Sequence, residues 1–187
     1  APDADPRTSP ALWSPDAAPD VVVMETQDPS APIGLPPDCK SLSEAIVDAD
    51  HHLVMSHGAA RLRLCLRPAP TRKVSCLIID CDACGAARLA AATRFQRAAR
   101  GRRVAPDRSV MPTGYQRARL AQLLALRDAL DAGASTRDVA FGLVMPNHHP
   151  LAGSDWKGSG ERRHVLRLIA EARRLLNGGY RKLLRHA

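Results

Sequence analysis

The 187-residue chain has little aromatic character: Phe, Trp and Tyr together make up 3% of it. Single-strand binders stack bases on such rings, so that class is disfavoured. The core must instead be built from Leu, Val and Ala. Lysine is scarce too, with 4 of the 27 basic residues, which leaves 23 arginines. A GC-rich genome produces the same bias, but guanidinium forks also suit phosphates and guanine edges. No apolar run approaches the 18 or so residues of a membrane span, and the amino end lacks the basic-then-apolar order of a signal peptide. This reading expects a soluble, cytoplasmic and nucleoid-associated protein with no membrane partner. Signatures of catalysis are missing as well: there is no phosphate-binding glycine loop, no Gly-x-Ser-x-Gly elbow, and no paired carboxylates at helical spacing in the carboxy-terminal half. No enzyme activity and no catalytic residue is expected.

What the chain does have is charge segregated along its length. Residues 85–187 hold 20 of the 27 Lys and Arg but 7 of the 19 Asp and Glu, a net of +13, against −5 for residues 1–84. A polyanion is the natural partner of such a surface. The length allows one large domain or two small ones. The chain begins at Ala1 rather than Met, which fits a processed form or a piece of a longer protein.

Composition divides the chain into three parts. Residues 1–37 carry 9 of the 15 prolines, so they read as an arm with little regular structure. Leu12-Trp13 would anchor that arm, and Val21-Val22-Val23-Met24 reads as a short strand. Residues 38–84 read as a small antiparallel sheet with a helix. The helix is placed at Ser41 to Asp50, where Leu42, Ala45, Ile46 and Ala49 form one stripe, Ser41 is the N-cap and Glu44 completes a capping box. Alternation in Arg61-Leu62-Arg63-Leu64-Cys65-Leu66-Arg67, after His51 to Ser56, gives a hairpin with Leu62, Leu64 and Leu66 inward. A third strand is expected over Val74 to Ile79. Residues 85–187 read as a helical domain. The fold class is thus α+β, a small antiparallel sheet followed by a helix-turn-helix-like half.

In that half, an Ala-rich helix carrying Leu89 and Phe95 runs from Ala86 to Arg100 and stops at Gly101. Thr113 caps a second helix, with Leu120, Leu123, Leu124 and Leu130 on one side and Gly133 at its end. Ser135 caps a third, with Asp138 in the capping-box position and Val139, Ala140 and Leu143 facing in. A fourth is expected over residues 161–176. Its Val165, Leu168, Ile169, Ala172, Leu175 and Leu176 define a buried stripe, with Arg163, Arg167 and Arg174 on the far side and Arg162 and Arg173 flanking. An ordinary solvated helix face has the same pattern. A support helix, a short capped helix and then an arginine-bearing helix is, however, the order a helix-turn-helix needs. The connection of about 16 residues far exceeds the usual turn of 3 or 4, which implies an insertion or an additional short helix near Trp156. The free N–H groups at Ser135-Thr136-Arg137 offer a phosphate site.

The residues from Trp156 onward carry a resemblance. Trp156-Lys157-Gly158-Ser159, then Arg162 or Arg163, then Arg167-Leu168-Ile169, and Leu176-Asn177-Gly178-Gly179-Tyr180-Arg181-Lys182-Leu183-Leu184 resemble the carboxy-terminal signature of the RovC-like DNA-binding domain family of bacteria. Its specific segments are Trp-Lys-x-Ser and Gly-Gly-Tyr-Arg. The likeness extends more in pattern than identity upstream to Leu12-Trp13-Ser14-Pro15. It implies a proteobacterial transcription factor, with relatives that control type VI secretion or the transfer of integrative elements. Some short relatives act instead as antiactivators that bind a partner regulator, and members often carry a separate amino-terminal domain.

Five cysteines invite a metal reading, centred on Cys76 and the Cys-x-x-Cys of Cys81 and Cys84. A structural zinc normally takes four ligands and no second Cys-x-x-Cys exists, so free thiols at a strand-to-helix junction are the simpler account. His51-His52 and His148-His149 read as surface polar residues. No cofactor and no metal is expected. The reading that results is a regulator binding double-stranded DNA, with Arg163 and Arg167 on base edges. Lys157, Ser159, Arg162, Arg174, Arg181 and Lys182 would lie on phosphates, with Ser135, Thr136, Arg137 and Tyr180 completing the surface. Its alternative is an antiactivator or adaptor that binds a partner regulator; a homo-oligomer is a further candidate assembly.

Overall fold

The computed structural model describes residues 9–29, 34–35, 38–71, 73–106 and 112–184. Parts of the arm, residues 1–8, 30–33 and 36–37, lie outside them, as does Met111. The chain forms two units, residues 1–110 with 184–187, and residues 111–183. The first helix after residue 85, expected in the helical domain, packs on the sheet and belongs to the first unit.

That unit is built on five strands: β1 (Val21–Thr26), β2 (Lys40–Val47), β3 (Asp50–His57), β4 (Ala60–Pro68) and β5 (Cys76–Ile78), in the order β2-β3-β4-β1-β5. The hairpin β3–β4 forms as its alternation requires, with Leu62, Leu64 and Leu66 buried. The sheet is not wholly antiparallel, because β1 enters between β4 and β5 and runs parallel to β4, Val22 opposite Leu64. A central strand is covered on both faces, which is why Val21 to Met24 is an unbroken apolar run. On one face α1 (Gly85–Ala99) lays Ala91 and Phe95 over Val22, Met24, Leu53, Leu64 and Leu66. Leu89 of this helix points to solvent. On the other face Ala18 and Trp13 cover Val21, Val23 and Cys65, and Leu184 joins them. Trp13 thereby ties the proline-rich segment to the sheet.

The helix expected from Ser41 to Asp50 does not form; those residues are β2, its turn and the first residue of β3. Two features hid the strand. A bulge between Ser41 and Ser43 breaks the period-two alternation, and as an edge strand β2 leaves Ile46 and Val47 exposed instead of sorting them to one face. The turn to β3 places Asp48 at φ 50° and Ala49 at φ 73°, the paired left-handed residues of a tight hairpin. Pairing along β3 outweighs a one-turn capping box, because a lone short helix pays for nucleation with few hydrogen bonds.

The second unit comprises α2 (Gly114–Asp131), α3 (Thr136–Val139), α4 (Gly153–Gly158), α5 (Gly160–Arg174) and most of α6 (Arg181–Leu184). Both expected capping boxes are present, Thr113 with Gln116 and Ser135 with Asp138. α4 is the short helix anticipated near Trp156. The core joins Leu123 and Leu126 of α2, Val139 and Ala140, and Val165, Leu168, Ile169 and Ala172 of α5. Four expected core positions fall outside it, Leu120 being half-buried in the early turns of α2. Leu124 is 56% exposed, since Leu126 lies closer to the centre of the Leu123–Leu130 stripe at 100° per residue. Leu143 is exposed because the chain widens to a π-type turn over Ala140–Val144, and the extra residue in that turn shifts the face. Leu176 is exposed for the same reason, in the second wide turn, Leu175–Gly179.

Candidate nucleic-acid interface

α5 begins where Ser159 caps it. The Ser159 hydroxyl accepts from the Arg162 N–H at 3.0 Å and donates to the Trp156 carbonyl at 2.9 Å, so one side chain closes α4 and opens α5. Trp156 stands 5.6 Å, centroid to centroid, from Phe141 at a tilted angle, packing α4 against the core beside the wide turn that follows α3. The long connection is thereby filled by a packed element.

Four residues fix the buried side of α5, and the opposite side carries Arg163, Arg167 and Arg174, all exposed. Positions 163, 167, 170 and 174 follow each other at four, three and four, so the three guanidinium groups and Ala170 make one row. At 1.5 Å per residue that row is roughly 16 Å long. Arg173 lies exposed beside it and Arg162 is half-buried. The acids of α5 are engaged elsewhere. Glu171 accepts from Arg119 of α2 at 2.6 Å and Glu161 faces His148 at 3.6 Å. Among the described residues no carboxylate pairs with Arg163, Arg167, Arg173 or Arg174. Arg162 and Arg163 each donate one bond backwards, to the carbonyls of Lys157 at 3.3 Å and Gly158 at 3.0 Å. Each keeps most of its five donors.

The remaining sequence-predicted residues surround this row or lie apart from it along the chain. Lys157 is exposed on α4. Arg181, Lys182 and Tyr180 are exposed after the glycine-terminated end of α5, where Gly178 takes φ +100° and the Tyr180 N–H donates to the Leu175 carbonyl at 3.0 Å. A side chain at Gly179 would place its Cβ 2.6 Å from the Arg174 carbonyl oxygen. The Gly-Gly-Tyr-Arg segment is thus a close turn between α5 and α6.

Ser135, Thr136 and Arg137 open α3, with Arg137 exposed. Here the Asp138 carboxylate already occupies the helix end, accepting from the Ser135 N–H at 3.0 Å and from its hydroxyl at 2.6 Å. These bonds, more than the nearby Arg137 charge, hold Asp138 below the ordinary carboxylate range.

The segment that carries this row matches the model of a known family. The family model described as "T6SS, Transcription factor, DNA binding domain", RovC_DNA-bd, matches residues 78–185. The chain belongs to this family. The match starts at β5 and takes in α1 and the whole helical unit, including every residue of the arginine row; the hairpin and the Leu12-Trp13-Ser14-Pro15 segment lie upstream of it. As a RovC-like domain the chain falls among DNA-binding domains of transcription regulation. No curated protein matches it. Among the described residues no helix is long and apolar enough to cross a membrane.

Proposed function

We propose that this RovC-like domain binds double-stranded DNA as a transcriptional regulator and reads the major groove with α5. The observation that carries the reading is the unpaired arginine row, directly opposite a fully buried stripe and inside the segment that matches the family. A helix held by one face and presenting guanidinium forks on the other fits a groove about 12 Å wide. α2 and α3 both pack on α5, in the order of a helix-turn-helix with α4 inserted before the reading helix.

Arg163 and Arg167 are assigned to base edges because they lie between the first turn and the middle of α5. Recognition helices contact bases chiefly through their N-terminal part. The bond from Arg163 to the Gly158 carbonyl would orient its fork without consuming it. Lys157, Arg162, Arg174, Arg181 and Lys182 are assigned to phosphates on either side, together with the helix end capped by Ser159 and the Tyr180 hydroxyl. Around α3, Arg137 and Thr136 are the better candidates, since the Ser135 hydroxyl is committed to Asp138.

The test is binding to a labelled pool of genomic fragments from the source organism, followed across a salt series against random duplex. Enrichment of one sequence with a steep salt slope supports the assignment. Equal, weak binding to all duplexes that vanishes by about 200 mM salt, together with a stable one-to-one complex with a partner regulator, would replace it with an adaptor role.

A further inference from the structure

The register of β2 against β3 pairs Lys40 with Ser56, which sets Cys39 across from His57 at the same end of the strand pair. The Cys39 Sγ lies 3.3 Å from His57 Nδ1, and an Asp38 carboxylate oxygen lies 3.8 Å from the same nitrogen. All three ligand-type atoms fall within 4.8 Å of one another. His57 is 7% exposed. Its other nitrogen, Nε2, is 3.0 Å from the Arg102 carbonyl oxygen. A carbonyl only accepts, so Nε2 carries the hydrogen, and in neutral imidazole the lone pair then sits on Nδ1, facing Cys39 and Asp38. A backbone carbonyl that fixes the far N–H in this way is the usual support of a metal-binding histidine.

We propose that Asp38, Cys39 and His57 form a metal site for zinc or a similar divalent ion, with three protein ligands and a fourth position open to water or another donor. Zinc bonds of about 2.3 Å to sulfur and about 2.0–2.2 Å to nitrogen and oxygen give tetrahedral edges of roughly 3.3–3.6 Å. The observed 3.3 Å from Sγ to Nδ1 and 3.8 Å from the carboxylate to Nδ1 therefore need shifts of a few tenths of an ångström, and the third edge, sulfur to carboxylate within 4.8 Å, closes through the exposed Asp38 side chain. One thiolate, one imidazole and one carboxylate are a donor set that suits zinc. Burial, and after it the Asp38 charge, raise the Cys39 thiol's pKa, and binding of a metal as thiolate releases the thiol proton to solvent.

A second group of similar residues, Asp50, His52 and Cys65, argues by contrast. There Asp50 already accepts from Arg67 at 3.1 Å, so a guanidinium holds the place of a cation. Cys39 and His57 have no such competitor among the described residues. Loading Nδ1 also fixes the Nε2–H tautomer, and so strengthens the tie from the sheet to the chain just past α1.

The full chain, stripped by chelator, is titrated with Co²⁺ as an optical probe and then with Zn²⁺. One equivalent should produce a thiolate-to-cobalt charge-transfer band with the intense visible bands of tetrahedral cobalt, and zinc should bleach both. Cys39→Ser should abolish the charge-transfer band while keeping the far-ultraviolet dichroism of the fold. Asp38→Asn and His57→Gln should each weaken binding at least about tenfold, and Cys81→Ser/Cys84→Ser should leave the titration unchanged. Absence of a saturable band in the wild type overturns the proposal, as does a band that survives Cys39→Ser. If His57→Gln fails to fold, Cys39→Ser and Asp38→Asn decide the matter.

Discussion

Replacing Gly179 by alanine should destabilise the helical unit through a single atom. The added Cβ would stand 2.6 Å from the Arg174 carbonyl oxygen and 3.2 Å from its carbon. Both are backbone atoms, so no side-chain rotation relieves the overlap and the end of α5 must open. Overpacking of this kind costs about 1–3 kcal/mol, and in a chain of this length each kcal/mol lowers the melting temperature by roughly 2–4 °C. Two glycines serve as comparisons. Gly178 has nothing within 4 Å but takes φ +100°, so Gly178→Ala should cost about 1–2 kcal/mol through backbone strain alone. Gly142 has neither constraint, and Gly142→Ala should be neutral or stabilise by up to about 1 kcal/mol. The assay is calorimetric melting of the full chain beside duplex binding, since opening this turn moves Arg174, Arg181 and Lys182 together. A Gly179→Ala protein that melts with the wild type and binds duplex equally well would refute the close turn and its role in shaping the surface.

Other outcomes follow from the same structure. Ala49 sits at φ 73° in the β2–β3 turn, so Ala49→Gly should raise stability by up to about 1 kcal/mol, read from denaturant midpoints. Asp138 is held below its ordinary pKa by Ser135. Its cap therefore contributes fully above the unfolded value of about 3.9 and is lost as pH falls through the lower folded value; melting scans from pH 6 downwards should show an acid decline that Asp138→Ala reduces. The Cys65 thiol is buried, donates toward Asp50 at 3.5 Å and has its pKa pushed up to about 11, with burial the largest cause. Timed alkylation with mass spectrometry should modify exposed Cys81 in the native protein and reach Cys65 only after unfolding.

The helical unit was largely legible in the sequence because its signals are local. Thr113, Ser135 and Ser159 cap through their own hydroxyls, Gly133 and Gly178 take positive φ at helix ends, and the stripe of α5 repeats at three and four. What escaped depends on geometry that a period cannot encode. The two wide turns rotated Leu143 and Leu176 out of the stripes that fixed spacing assigned them. In the sheet, the hairpin β3–β4 followed from alternation, but β2 carries a bulge and an exposed edge, and the place of β1 beside β4 rests on pairing between distant segments. The cysteines show the same limit. Cys81 and Cys84 stand out by spacing, whereas Cys39 and His57 are 18 residues apart and meet only through strand register.

The central claim, that Arg163 and Arg167 of α5 read bases while Arg174 and the flanking charges hold the backbone, is tested most directly by one comparison. Arg167→Ala and Lys182→Ala are measured on the enriched duplex and on random duplex across a salt series. Arg167→Ala should lose about 1–3 kcal/mol on the enriched site with little change on random DNA, and Lys182→Ala should weaken both about equally and lower the salt slope by about 1. Parallel losses on both duplexes for both variants would contradict base reading by α5.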